Sequence, residues 1–140
     1  MKLQQLFEKM IPNPLGQSCS SEIMNQFDDL ETEFANWGFS HLPSPQKFIE
    51  ANKMLKQLGT PQNVDIDHLI PLEPQVDSEH IQKLIQTGSS DLPWVYLYKN
   101  KMYINDGNHR VVAAKLAGNK QVKVQLVDVD KVYKLMEDDQ

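Results

Sequence analysis

The residues with chemistry to offer are concentrated in one short stretch, Asp106-Gly107-Asn108-His109-Arg110, between a strand pattern ending at Ile104 and a helical pattern from Val111 to Ala117. A strand that runs through a glycine turn straight into a helix sets its polar residues at the helix N-terminus. Backbone N–H groups are unpaired there and the helix end carries partial positive charge. Cations such as His109 and Arg110 are therefore disfavoured by up to about 1 kcal/mol. A bound anion reverses that penalty. Gly107 lets backbone approach such an anion, the N–H groups of Gly107, Asn108 and His109 can point at its oxygens, and Arg110 offers a bidentate fork to a phosphate. Spacing alone leaves a plainer alternative open, in which Asp106 or Asn108 caps the helix, His109 bonds a neighbouring carbonyl and Arg110 pairs with a surface carboxylate. The stretch lacks the glycines and lysine of a Walker loop and the glycine pattern of a dinucleotide fingerprint.

The elements that must position this loop are read from periodicity and punctuation. Leu3, Leu6, Phe7 and Met10 predict a short helix ended by Pro12 and Pro14. A second helix starts at Ser20 or Ser21, carries Ile23, Phe27, Leu30, Phe34 and Trp37 on one face, and ends at Gly38; its acidic opposite face reads as solvated surface. A third takes Ser44 as cap and Pro45 at its first position, and stops at Gly59 before Pro61. From Val64 the period changes to strand-like alternation, with Asp65 and Asp67 on one outward face, followed by the proline-punctuated Leu69 to Pro74. Asp77 or Ser78 caps a helix burying Ile81, Leu84 and Ile85 and ending at Gly88. Trp94 to Tyr98 and Met102 to Ile104 form strands about a tight Lys99-Asn100 turn. The loop and its helix follow, ended by Gly118, then a strand through Val122, Val124 and Leu126 and a short helix from Val129 to Met136.

Composition narrows the function classes. The 140 residues carry 14 Lys and Arg against 19 Asp and Glu, a net charge of −5, with 40% hydrophobic and 24% charged residues. That is enough apolar material for one core, and the acidic balance opposes attraction to nucleic acid or anionic lipid. No apolar run approaches the ~20 residues of a membrane span, and the opening MKLQQLFEKM is no signal-peptide core, so a cytoplasmic protein without a membrane partner is expected. The single Cys19 can form neither an internal disulfide nor a thiolate cluster. His41, His68, His80 and His109 show no zinc spacing, and Ser89-Ser90 has no histidine partner nearby in sequence. Trp94, Tyr96 and Tyr98 alternate on one face and read as core packing.

Asp106-Gly-Asn-His-Arg110, with Ala113-Ala114 and Gly118 behind it, resembles the ParB/sulfiredoxin-like superfamily, whose members place a D-G-H-H-R, G-E-R-R or G-G-C-H-R type loop before a helix of this pattern. The resemblance extends back through Val64 to Leu69, Pro71, the Asp77 helix and Leu92 to Val95, and forward to Val127, about half the chain. It implies an α+β fold, a small mixed sheet with packed helices at residues 61–140; residues 1–60 lie outside the resemblance and read by their own periodicity as a helical N-terminal extension. It also implies a loop that grips nucleotide phosphates, with CTP, ATP or ADP as ligand and Mg2+ as companion ion. The nearest branch is that of ADP-dependent free serine kinases. By that resemblance Asp106 acts near the transferred phosphoryl group or its magnesium, His109 and Arg110 grip phosphate, and Glu73 is the general base toward a small hydroxyl acceptor. Asn108 stands where that branch has its first histidine, and the sulfiredoxin cysteine and the paired ParB arginines are missing.

The resulting expectation is a nucleotide phosphate-binding protein that transfers or hydrolyses a phosphoryl group through the Asp106–Arg110 loop. The alternatives are a ParB-like DNA nuclease, which the acidic charge disfavours, and a catalytically inactive ligand- or protein-binding module. The helical N-terminal region is expected to supply any homo-oligomer or protein contact.

Overall fold

The computed structural model describes residues 9–88 and 91–138; the expected helix positions Leu3, Leu6 and Phe7, and the pair Ser89-Ser90, lie outside them. The fold is α+β. Its elements in chain order are β1 (Met10–Pro12), α1 (Ser21–Gly38), α2 (Gln46–Gln57), β2 (Thr60–Asp65), β3 (Leu69–Pro71), β4 (Gln75–Asp77), α3 (Ser78–Thr87), β5 (Trp94–Tyr98), β6 (Lys101–Asp106), α4 (Asn108–Leu116), β7 (Gln121–Asp128) and α5 (Val129–Asp138). No helix among the described residues is long and apolar enough to cross a membrane.

A mixed five-stranded sheet in the order β2-β7-β5-β6-β3 organises the chain. β5 and β6 form a hairpin closed by Lys99 and Asn100, both at positive φ, the backbone that a two-residue turn between twisted strands requires. β7 then lies parallel to β5, and β3 parallel to β6. A separate two-stranded ribbon pairs β1 antiparallel with β4, so Met10 is in a strand, opposite Asp77, and not in a helix. The ribbon brings the Pro12–Pro14 corner to the start of α4.

Strand alternation divides the core in two. Trp94, Tyr96, Tyr103 and Val127 face Phe27, Leu30, Phe34 and Ala35 of α1, Ala51 and Leu55 of α2, and Val132 and Met136 of α5. On the other face Val95, Ile104 and Val124 pack on Val111 of α4, and Val112 of α4 joins Val76 and Ile81 under α3. The aromatic strand residues are thus core, as their alternation indicates.

Two boundaries differ from the periodic reading. β2 begins at Thr60 and includes Pro61, which an edge strand tolerates because its missing N–H faces away from the ladder. It ends at Asp65, and Ile66–His68 is a single 3-10 turn, so Asp65 and Asp67 share no strand face; both are exposed. At α2 the helix starts at Gln46, with no side-chain cap at Pro45; the carbonyls of Pro43 and Pro45 take the first N–H groups instead, Lys47 at 3.0 Å and Phe48 at 3.1 Å.

Candidate functional site

β6 delivers the chain to α4 through Gly107, which is left-handed at φ 99° and stands at the cap position with no side-chain hydrogen bond. A Cβ built there would lie 2.8 Å from Pro93 Cα and 2.9 Å from Pro93 Cβ. The sign of φ and the approach of Pro93 each demand glycine. The Gly107 carbonyl accepts the Val111 N–H at 3.1 Å and opens the helix. No side chain caps α4, so the plainer reading of Asp106 or Asn108 as its cap does not hold.

A helix turns about 100° per residue, and the next three side chains leave α4 in different directions. Asn108 is buried, 3% exposed. Its Oδ1 accepts from Asn13 Nδ2 at 3.3 Å, while that same Nδ2 donates to the Glu73 carbonyl at 3.0 Å and Asn13 Oδ1 accepts the Leu15 N–H at 3.0 Å. The amide expected to meet a ligand therefore ties the Asn13 corner and the Glu73 loop to α4.

His109 turns toward β4 and α3. Its Nε2 accepts the Asp77 N–H at 3.0 Å, and its ring stacks on His80 with centroids 4.5 Å apart at 26°. A ring nitrogen that accepts a hydrogen bond carries no proton. Burial and the neighbouring His80 push the His109 pKa down, against the upward pull of Glu73, Asp77 and Asp106. The charges of Asp106 and Glu73, both exposed, thus reach the same imidazole, so the three expected catalytic groups share one neighbourhood. Among the described residues, however, no three His, Cys, Asp or Glu side chains come together as a metal site.

Arg110 turns the other way, and the expected cationic pair is divided. Arg110 is among the residues lining a hollow of about 360 Å³ along the flank of α4. Ala113, Ala114 and Ala117, three, four and seven residues on, share its helix face and leave the space open; Leu84 and Ile85 of α3 and Pro93 form the opposite wall. Nη1 of Arg110 is buried with no hydrogen-bond partner among the described residues. Asp106, Gly107, Asn108 and His109 do not line this hollow.

Sequence reasoning missed Asn13, the Asp77 amide and His80 as partners of the loop. Asn13 lies between two prolines, a turn signal, but nothing local points to a contact 95 residues away. Asp77 was legible only as the cap of α3, which it is: its Oδ1 accepts the Glu79 N–H at 3.0 Å.

A partly buried carboxyl lies across the sheet. Burial pushes the Glu31 carboxyl of α1 up to about 7, with Asp28 adding to the shift and Asn105 of β6 opposing it. A carboxyl whose folded pKa lies above its ordinary 4.5 favours folding when protonated, so its contribution is full below about pH 4.5 and is lost as pH rises through 7. Glu31→Gln is expected to gain stability relative to the natural chain steadily from pH 4.5 to 7 and to plateau above. Urea melts of both proteins across that range check this; a difference independent of pH contradicts it.

Neither a scan against protein-family models nor a search of curated proteins finds a match to this chain. Among solved structures it is similar to the C-terminally truncated chromosome-partitioning protein ParB from Caulobacter crescentus complexed with CTP-gamma-S. The identity is 19% over 56% of this chain and 51% of that one, and the TM-score is 0.42. The match thus spans about half the length of that protein.

Proposed function

We propose that this chain binds nucleotide phosphates at the start of α4, with Arg110 as the principal cationic contact. The observation that carries this reading is Arg110 itself, a lining residue of the hollow with one guanidinium nitrogen, Nη1, buried and unpartnered among the described residues. A buried guanidinium nitrogen without an acceptor costs about 1–3 kcal/mol, and a phosphate oxygen removes that cost while matching the fork geometry. The left-handed Gly107 opens α4 one turn before Arg110, and the resemblance of Asp106–Arg110 to phosphate-gripping loops points the same way.

On this reading the roles within the loop are redistributed. Arg110 holds charge, and His109, neutral and accepting the Asp77 N–H at Nε2, carries its proton on Nδ1 and acts as an oriented donor there. Asp106, exposed at the end of β6, would hold a magnesium ion through one hard carboxylate. Such an ion offsets phosphate charge. Glu73, exposed on the neighbouring loop, is the candidate base toward a hydroxyl acceptor, and with it the chain would be a phosphotransferase or nucleotide hydrolase. A second reading, binding without transfer, is favoured by Asn108: the position that holds a histidine in the kinase-like branch here holds an amide committed to Asn13.

Thermal and chemical melts with ATP, ADP and CTP, each with and without magnesium, test the proposal. A nucleotide at one hundred times its dissociation constant adds about 2.7 kcal/mol. Arg110→Met is expected to keep or raise the stability of the unliganded protein, because it removes a buried nitrogen that has no partner among the described residues, and to weaken nucleotide binding by about 1.5–3 kcal/mol. No response of the natural chain to any nucleotide overturns the proposal. Product formation from bound nucleotide, lost in Asp106→Asn, separates transfer or hydrolysis from binding alone.

A further inference from the structure

We propose that the open edge of β2 receives an extended peptide of another protein, one that alternates apolar and acidic side chains, as an added strand of the sheet. This edge lies apart from the loop at Gly107, since β7 and β5 stand between β2 and β6.

The register decides which main-chain groups are free. The Ile66 N–H donates to the Lys120 carbonyl at 2.9 Å, and Gln125, opposite Pro61, donates its N–H away from β2, to the Pro93 carbonyl at 2.8 Å. Inward and outward residues alternate along an antiparallel strand. Thr60, Gln62 and Val64 therefore bond to β7, while Pro61, Asn63 and Asp65 turn their main chain outward. Thr60 to Asn63 are exposed. An added strand meets N–H groups at Asn63 and Asp65 and carbonyls at Pro61 and Asn63.

What flanks the edge differs on the two faces. On the face that Thr60 and Gln62 share with Leu126, a cleft of about 350 Å³ has Leu58, Leu97, Leu126 and Leu135 in its wall. Leu58 and Leu135 are 42% and 41% exposed, apolar surface that the described chain leaves in water. The charges lining this cleft, Asp128 and Lys131, are one of each sign. The opposite face carries Pro61 and Asn63 with their register partners Gln125 and Lys123, and there Lys53 and Lys56 of α2 line an open hollow beside Gln125. Lys53 meets Glu50 at 3.5 Å; Lys56 and Lys123 form no salt bridge among the described residues. Successive side chains of an added strand fall alternately on these two faces. Apolar side chains then reach the leucines and carboxylates the lysines, while main-chain bonds hold the register.

A second copy of the chain fits this edge less well. Two β2 strands paired antiparallel about a two-fold axis would set both lysine faces on one side of the joined sheet, where like charges repel, and each Pro61 withholds a donor.

NMR titration of the full isotope-labelled chain with a capped heptapeptide alternating glutamate and leucine tests the proposal. The controls are the same residues in block order and a version with lysine for glutamate. The alternating acidic peptide should bind about tenfold or more tighter than either control, and should shift the amide signals of Asn63 and Asp65. Lys56→Glu combined with Lys123→Glu, neither residue being buried, should reverse the preference between the glutamate and lysine peptides. Leu135→Gln, at an exposed position, should weaken the alternating peptide about fivefold. Equal binding of the block-order peptide means that charge alone attracts, and overturns the proposal; so does failure of the alternating peptide to bind. A chain that sediments as a dimer with the Asn63 and Asp65 amides already protected, and as a monomer in Asn63→Pro, assigns the edge to a second copy and also overturns it.

Discussion

Gly107→Ala is expected to destabilise the protein by about 2–5 kcal/mol and to abolish nucleotide-dependent stabilisation. Two costs add at this position. An L-residue at φ 99° is strained, by about 1–3 kcal/mol where surrounding structure imposes the conformation. The new methyl would also lie 2.8 Å from the Pro93 Cα, a backbone atom at the entry to β5 that cannot swing aside as a side-chain tip can. Relief requires α4 to shift away from Pro93, which moves Arg110 relative to the hollow that both residues border. Urea unfolding with an unchanged m-value measures the first effect and nucleotide titration the second. A loss below about 1 kcal/mol would mean that the loop has room to relax, and the case for an obligatory glycine would fail.

Phe27→Ala carries the other large effect, a loss of about 3–5 kcal/mol. Phe27 is 1% exposed and meets Tyr96, Tyr98 and Tyr103 at centroid distances of 4.7, 5.8 and 5.3 Å. It is the point where α1 is keyed into the aromatic face of the sheet. Removing it leaves a cavity that a helix tied to α5 through the Gln26–Tyr133 hydrogen bond, 3.1 Å long, closes only in part. Against a total stability of about 5–15 kcal/mol, such a loss removes from about a fifth to all of the fold's margin. The same variant tests the proposed division into an extension at 1–60 and a domain at 61–140. Helix content and aromatic fluorescence should be lost in one coincident transition if the shared core makes one cooperative unit, and in two if the extension melts by itself. A loss under about 1 kcal/mol contradicts the keying role of Phe27.

How far the chain could be read in advance differs from element to element. α1, α3, the β5–β6 hairpin, α4 and β7 were legible because each is specified by local signals: Ser20 and Asp77 as caps, the Lys99-Asn100 turn, and an apolar period that matches one buried face. Pro61 misleads because the rule against proline in strands concerns hydrogen bonds, and whether a strand lies at an edge is not a local property. Met10 misleads for a related reason: the ribbon of β1 and β4 exists through pairing across some sixty residues, as in Ile11 with Val76.

The loop shows the same division. Its residue types and the strand–glycine–helix order are enough to propose an anion at Asp106 to Arg110, since that proposal needs only the unpaired amides of a helix start. Where each side chain goes is decided by what packs around α4. The Asn13 corner takes Asn108, the Asp77 amide takes His109, and Arg110 lines a hollow and keeps one buried nitrogen without a hydrogen-bond partner among the described residues. Sequence determines which groups a segment carries and what local geometry they favour. Their accessibility, protonation and partners depend on elements folded against them from far along the chain, because desolvation and hydrogen-bond satisfaction belong to the assembled surroundings and not to the segment.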